Sequence, residues 1–127
     1  MVDSVELNYY EIEGLETIYL EDSIVLEIRT DYGSAEFLLD VVLTENNPFY
    51  TPPKPNEQYC YKKAVLNFPM VVEVIWVEKS LIPFTDLSGE IDFGNIDSFS
   101  YNGNYYNLSG DWGELKIQSA KPTIKFT

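Results

Sequence analysis

Ile24-Val25-Leu26-Glu27-Ile28-Arg29-Thr30-Asp31-Tyr32-Gly33-Ser34-Ala35-Glu36-Phe37-Leu38-Leu39-Asp40-Val41-Val42-Leu43 alternates with period two on both sides of a turn. Helical spacing is absent from it, and side chains two apart on a strand share a face. Ile24, Leu26 and Ile28 fall on one face, with Val25, Glu27 and Arg29 on the other. Thr30-Asp31-Tyr32-Gly33-Ser34 has turn chemistry, and beyond it Phe37, Leu39, Val41 and Leu43 line one face of the next strand. Leu38 and Val42 on its opposite face imply that this strand is covered on both sides. The stretch reads as a long β-hairpin.

The same period continues outward. Strands are predicted over 58–68 and 70–78, the second with Met70, Val72, Val74 and Trp76 on one face and Pro69 marking the corner between the two. Asn102-Gly103 is a hairpin signal between strands over 95–101 and 104–109, with positive φ expected at both residues as a type I′ turn requires. Ser109-Gly110-Asp111-Trp112-Gly113 makes another turn, into a strand over 114–119, and Pro122 leads into a last strand, Thr123 to Phe126. The segment 9–20 has Ile12, Leu15 and Tyr19 at helical spacing, but Ile18 and Leu20 fit a strand, and strand is the reading taken. Between the first hairpin and the third strand lies Glu45-Asn46-Asn47-Pro48-Phe49-Tyr50-Thr51-Pro52-Pro53-Lys54-Pro55-Asn56, read as a semi-rigid connection between two sheets in preference to a polyproline ligand at Pro52-Pro53-Lys54-Pro55. About eight or nine strands with little or no helix define an all-β fold, an antiparallel β-sandwich or partly closed barrel. At 127 residues the chain forms a single β domain, 1–127, able to bury a core without staples.

Charge is far less even than hydropathy. Residues 1–45 carry twelve carboxylates against Arg29 alone, a charge of −11, while nine acids and seven lysines leave the other 82 residues at −2. Such a field repels nucleic acid and anionic membrane and steers cationic partners to one end of the molecule. The N-terminus, Met1-Val2-Asp3-Ser4-Val5-Glu6, lacks the basic and apolar regions of a signal peptide, so a cytoplasmic location is expected. Cys60, the single cysteine, rules out an intramolecular disulfide; between Tyr59 and Tyr61 it reads as a small half-buried hydrophobe, not a reactive thiol.

Histidine is absent altogether, which removes the commonest general base and the commonest zinc ligand. Asp86-Leu87-Ser88-Gly89-Glu90-Ile91-Asp92-Phe93-Gly94-Asn95-Ile96-Asp97 places oxygen ligands at intervals, but Ile91 and Asp97 stand where a calcium loop needs glycine and a bidentate glutamate. A looser oxygen site from Asp86, Glu90 and Asp92 is the residual metal reading, set against a self-capped polar turn. Asp92, Asp97 and Asp111 can pair as acid and base on paper. In so acidic a chain such pairs arise by chance, and the protein is read as non-enzymatic, without cofactor or metal.

Tyrosines exceed what a core of this size needs, and tyrosine suits interfaces because it joins apolar area to a polar tip. The leading expectation is therefore a protein-binding domain that engages a basic protein. Glu13, Glu16, Glu21 and Asp22 act as steering charges and Tyr9, Tyr10 and Tyr19 as anchors. The alternative is a ligand- or metal-binding module in the segment 86–112, with Asp92, Asp97, Asp111 and Trp112 as its ligand-binding residues.

Tyr19-Leu20-Glu21-Asp22-Ser23, Asn47-Pro48-Phe49-Tyr50-Thr51-Pro52-Pro53 and Glu57-Gln58-Tyr59-Cys60-Tyr61 carry a further likeness. Gly89-Glu90-Ile91-Asp92-Phe93-Gly94-Asn95-Ile96-Asp97-Ser98-Phe99 and Leu108-Ser109-Gly110-Asp111-Trp112-Gly113 extend it over most of the chain. The chain resembles a group of small uncharacterised bacterial all-β proteins. That resemblance implies a stand-alone bacterial domain, toxin neutralisation being a role in some members, and assigns no catalytic residue.

Overall fold

Alternating apolar residues need a second layer to bury them, and the chain supplies it by folding into two packed antiparallel sheets. A computed structural model describes residues 6–31, 33–85, 87 and 89–127. The strands are β1 (Leu7–Asn8), β2 (Ile18–Asp31), β3 (Ser34–Leu43), β4 (Tyr61–Pro69), β5 (Glu73–Lys79), β6 (Phe84–Thr85), β7 (Ile91–Asp92), β8 (Ile96–Tyr101), β9 (Tyr106–Gly110), β10 (Gly113–Gln118) and β11 (Thr123–Phe126). One sheet has the order β1-β8-β9-β10-β5 and the other β11-β4-β3-β2, with β6 and β7 forming a separate short ribbon. Neither sheet closes into a barrel, so the sandwich reading holds. Among the described residues no helix is long and apolar enough to cross a membrane.

The core lies between the sheets. Phe37 of β3 and Phe68 of β4 are fully buried, as are Leu108, Leu115 and Ile117 from the facing sheet. Their rings pack edge to face or tilted: Phe68 lies 5.8 Å from Phe99 and 5.5 Å from Tyr106, and Phe37 lies 5.4 Å from Trp112. Such contacts add about 0.5–1.5 kcal/mol each beyond the area they bury. Along one side the segment between β7 and β8 is joined to β2 by backbone. Val25 donates its N–H to the Gly94 carbonyl and accepts from the Phe93 N–H, both at 2.8 Å, so part of the outer edge of β2 is covered.

Several local expectations are corrected. Of the segment 9–20 only Ile18 to Leu20 is strand, the start of β2: Tyr9–Glu11 form one 3₁₀ turn, and bends and turns follow. Ile12 and Leu15 are buried from turn positions, where they close one end of the core. On β2, Val25 and Ile28 both pack on the core and Ile24 does not, so Ile24 and Ile28 do not share a face as expected: the register irregularity between Val25 and Glu27 shifts the pleat. Met70 and Val72 are exposed, Met70 at φ 52°, so the corner falls there; of the expected row Val74 and Trp76 pack on the core, and Val71 packs there as well. The proline-rich loop connects β3 to β4, which are neighbours in one sheet; Asn47 pins it by donating to Thr17 Oγ1 at 3.0 Å.

The β8–β9 turn is centred one residue later than expected. Gly103 alone takes positive φ (90°), and Asn102 N–H donates to the Tyr105 carbonyl at 3.1 Å, the pattern of a turn with glycine first. The Asn102 side chain accepts from the Asn104 and Tyr105 N–H groups and locks that turn. Tyr32, part of the first hairpin turn, lies outside the described residues.

Candidate functional site

The β2 irregularity nearest the N-terminus is a wide bulge. Tyr19 pairs with Val42 and Ile24 with Asp40, so four residues of β2 span what Val41 alone spans on β3. Extra residues in a ladder leave backbone groups without partners, and here one side chain takes their place. Ser23 is fully buried; its hydroxyl donates to the Tyr19 carbonyl at 2.7 Å and accepts from the Val42 N–H at 3.0 Å. With Leu20 and Ser23 held inward, Glu21 and Asp22 are half-buried at the surface. Bulges of this kind re-aim side chains at functional sites.

On one side of the bulge, Glu21 enters a cleft of about 310 Å³ lined also by Glu6, Asn8, Tyr9, Asp97, Ser98, Phe99 and Ser100. Among the described residues three carboxylates line it and no lysine or arginine does. The ring of Tyr9 belongs to the core, stacked on Phe99 at 6.1 Å, while its hydroxyl donates to Glu21 and accepts from the buried Leu20 N–H at 3.1 Å. Burial, and then the hydrogen bond to the Glu21 carboxylate, push the Tyr9 hydroxyl well above the usual tyrosine range. It is a neutral donor at any physiological pH.

On the other side, Asp22 meets tyrosines. Its carboxylate accepts a hydrogen bond from the Tyr59 hydroxyl, and its charge also reaches Tyr61. Tyr59 is raised above its ordinary value chiefly by that hydrogen bond, and Tyr61 chiefly by burial. The Tyr59 and Tyr61 rings stand perpendicular, with centroids 6.1 Å apart.

The structure thus sorts the sequence-predicted residues. Tyr9, Glu21 and Asp97 come together in the cleft, Asp97 from the set that was expected to bind a ligand elsewhere. Tyr19 and Asp22 share the neighbouring surface with Tyr59 and Tyr61. Tyr9, only 4% exposed, is no anchor, which corrects that expectation; Tyr10 and Tyr19 are exposed. Glu13 and Glu16 lie on the turn before β2, Glu13 paired with Lys121 at 3.2 Å and Glu16 accepting the Gly14 N–H at 2.6 Å.

The alternative ligand site does not assemble around Trp112. That ring is fully buried against Phe37 and Trp76, so it presents no face to a ligand. Asp92 caps the Gly94 N–H of its own turn at 2.8 Å, and Asp111, from the β9–β10 turn, accepts the Asn95 N–H just before β8 at 3.2 Å, so both carboxylates serve the backbone. Asp86 lies outside the described residues. Among the described residues no three Asp, Glu or Cys side chains gather closely enough to hold a metal ion, those of the cleft included.

Sequence reasoning left Ser23, Tyr59 and Tyr61 out of the site. The alternation Tyr59-Cys60-Tyr61, with Cys60 buried, was the available signal for two tyrosines facing outward together. Compared with protein-family models, curated proteins and solved structures, the chain finds no match.

Proposed function

We propose that this chain is a non-enzymatic binding protein that engages a basic protein through the acidic surface around the β2 bulge. Its concrete form is a cytoplasmic immunity or inhibitor protein, of bacterial type, acting on a cationic toxin or nuclease, with neither nucleic acid nor membrane as partner. One observation carries the reading: Glu6, Glu21 and Asp97, far apart in sequence, line one cleft with no base beside them among the described residues. Around it, the −11 segment supplies the long-range field that accelerates encounter with a cationic surface.

The test is capture of partners from the source cell by wild type and by a variant with Glu13, Glu16, Glu21 and Asp22 reversed to lysine, at low and moderate salt. A basic protein retained by wild type alone, and released as salt rises, is the expected result. Equal capture by both baits would remove the acidic surface from recognition.

A further inference from the structure

Tyr19 of β2, Val42 of β3 and Tyr61 of β4 stand opposite one another in register, in one row across three adjacent strands. Directly opposed residues of an antiparallel sheet project to the same face. Val42 is only 2% exposed yet lies outside the cluster between the sheets, so its cover comes from the outer face, where Tyr19 and Tyr61 flank it. Tyr59 adds a ring perpendicular to Tyr61, at 82°. Asp22, held in place by the Ser23-locked bulge, brings a carboxylate to the same spot.

Aromatic faces with a carboxylate beside them are suited to a cation. Guanidinium is the best match among side-chain cations, because its plane stacks on rings while its N–H fork meets a carboxylate. The nearest lysines are committed elsewhere: Lys63 lies 4.0 Å from Asp40, and Lys62 lies over the Phe49 ring at 5.3 Å. Among the described residues no lysine or arginine pairs with Asp22.

We infer that Tyr19, Asp22, Tyr59 and Tyr61, over the Val42 floor, form a receptor for an arginine side chain of the partner. This rests on the basic-partner reading above and names the side chain that the surface accepts. The acidic cleft supplies attraction at a distance, and the tyrosine site supplies the contact that selects arginine.

The probe is N-acetyl-arginine methylamide, titrated against protein with ring-labelled tyrosines and followed by NMR. N-acetyl-citrulline methylamide, nearly the same shape but uncharged, is the control. Expected are saturable shifts of the Tyr19, Tyr59 and Tyr61 rings with the arginine compound only. Affinity should fall about tenfold or more in Asp22→Asn, the loss of one charge-assisted contact. Tyr59→Leu, checked for an unchanged thermal midpoint, should weaken binding as well. Shifts equal with citrulline, absence of saturation, or wild-type affinity in Asp22→Asn would overturn the inference. If the probe fails while charge reversal still abolishes partner capture, the arginine site alone is wrong. If the probe binds while capture ignores the charges, the arginine site stands and the basic-partner reading falls.

Discussion

Replacing Tyr9 by phenylalanine removes one oxygen and keeps the ring, so it isolates what the hydroxyl does. In the native protein that hydroxyl accepts from the Leu20 N–H and donates to Glu21. Leu20 is fully buried, so the variant leaves a main-chain donor without a partner, at a cost of about 1–3 kcal/mol. The same hydroxyl sets a pH dependence. Its pKa is raised, by burial first and by Glu21 second, above the value near 10 of an unfolded chain. A raised value means that the folded state holds the proton more tightly. The associated stability is therefore complete below about pH 10 and is lost as pH climbs toward the folded value. Urea unfolding at pH 8 and at pH 11 should show wild type losing more stability over that interval than Tyr9→Phe. Tyr59, Tyr61, Tyr105 and Tyr106 are raised too, so the variant flattens the loss without abolishing it. Identical slopes for the two proteins would show that the Tyr9 proton is not linked to folding.

At the scale of elements, the bulge and the β9–β10 turn rest on single residues. Ser23→Ala takes the acceptor from the Val42 N–H and should cost about 1–3 kcal/mol. Hydrogen exchange at Val42 should rise more than at Leu39, deeper in the same strand, and uniform protection would mean that the bulge does not need its hydroxyl. Gly113 sits at φ +125°, and a Cβ there would lie 2.2 Å from the Glu78 carbonyl oxygen of the neighbouring strand. Gly113→Ala should therefore lower stability by at least about 2 kcal/mol in chemical denaturation, backbone strain adding to a clash with main chain that cannot rotate away. These elements also show where sequence stops informing. Period two located β3, where Phe37, Leu39, Val41 and Leu43 are all buried as expected. It failed on β2, because a bulge changes which face a residue occupies without changing the composition of the strand. The trace of it in the sequence is Ser23, a polar residue between apolar neighbours. The 9–20 segment misled in another way, since Ile12 and Leu15 are buried from turns and periodicity describes only regular backbone. Of the site, the Glu21-Asp22 pair was legible as charge. Its meeting with Asp97 on one side and with Tyr59 on the other was not, because those contacts join segments far apart in the chain.

Over the whole molecule the unpaired charge has a thermodynamic consequence. The protein carries −13, and six of the twelve carboxylates of the −11 segment lie on β2 and β3, adjacent strands at one side of a single sheet. Ion pairs do little to offset it: among the described residues they are Arg29–Glu27, Lys63–Asp40 and Lys121–Glu13, and the bases of all three are about half exposed or more. Exposed pairs of this sort contribute about 0–1 kcal/mol each. Salt screens attraction and repulsion alike beyond about 10 Å at 0.1 M, so the sign of its effect follows whichever dominates, which here is repulsion. The thermal midpoint should rise between about 20 mM and about 500 mM sodium chloride, by about 4 °C for each kcal/mol of repulsion relieved. Neutralising Glu13, Glu16, Glu21 and Asp22 to their amides moves the charge from −13 to −9, a change of four, and should relieve part of the same repulsion. That variant should respond less to salt than wild type. If the acidic surface is kept for recognition, its midpoint at low salt should equal or exceed that of wild type while its hold on a basic partner weakens, stability having been given up for binding. A variant that melts lower and still binds as tightly would reverse the assignment: the carboxylates would then be serving the fold, and the partner would be held elsewhere.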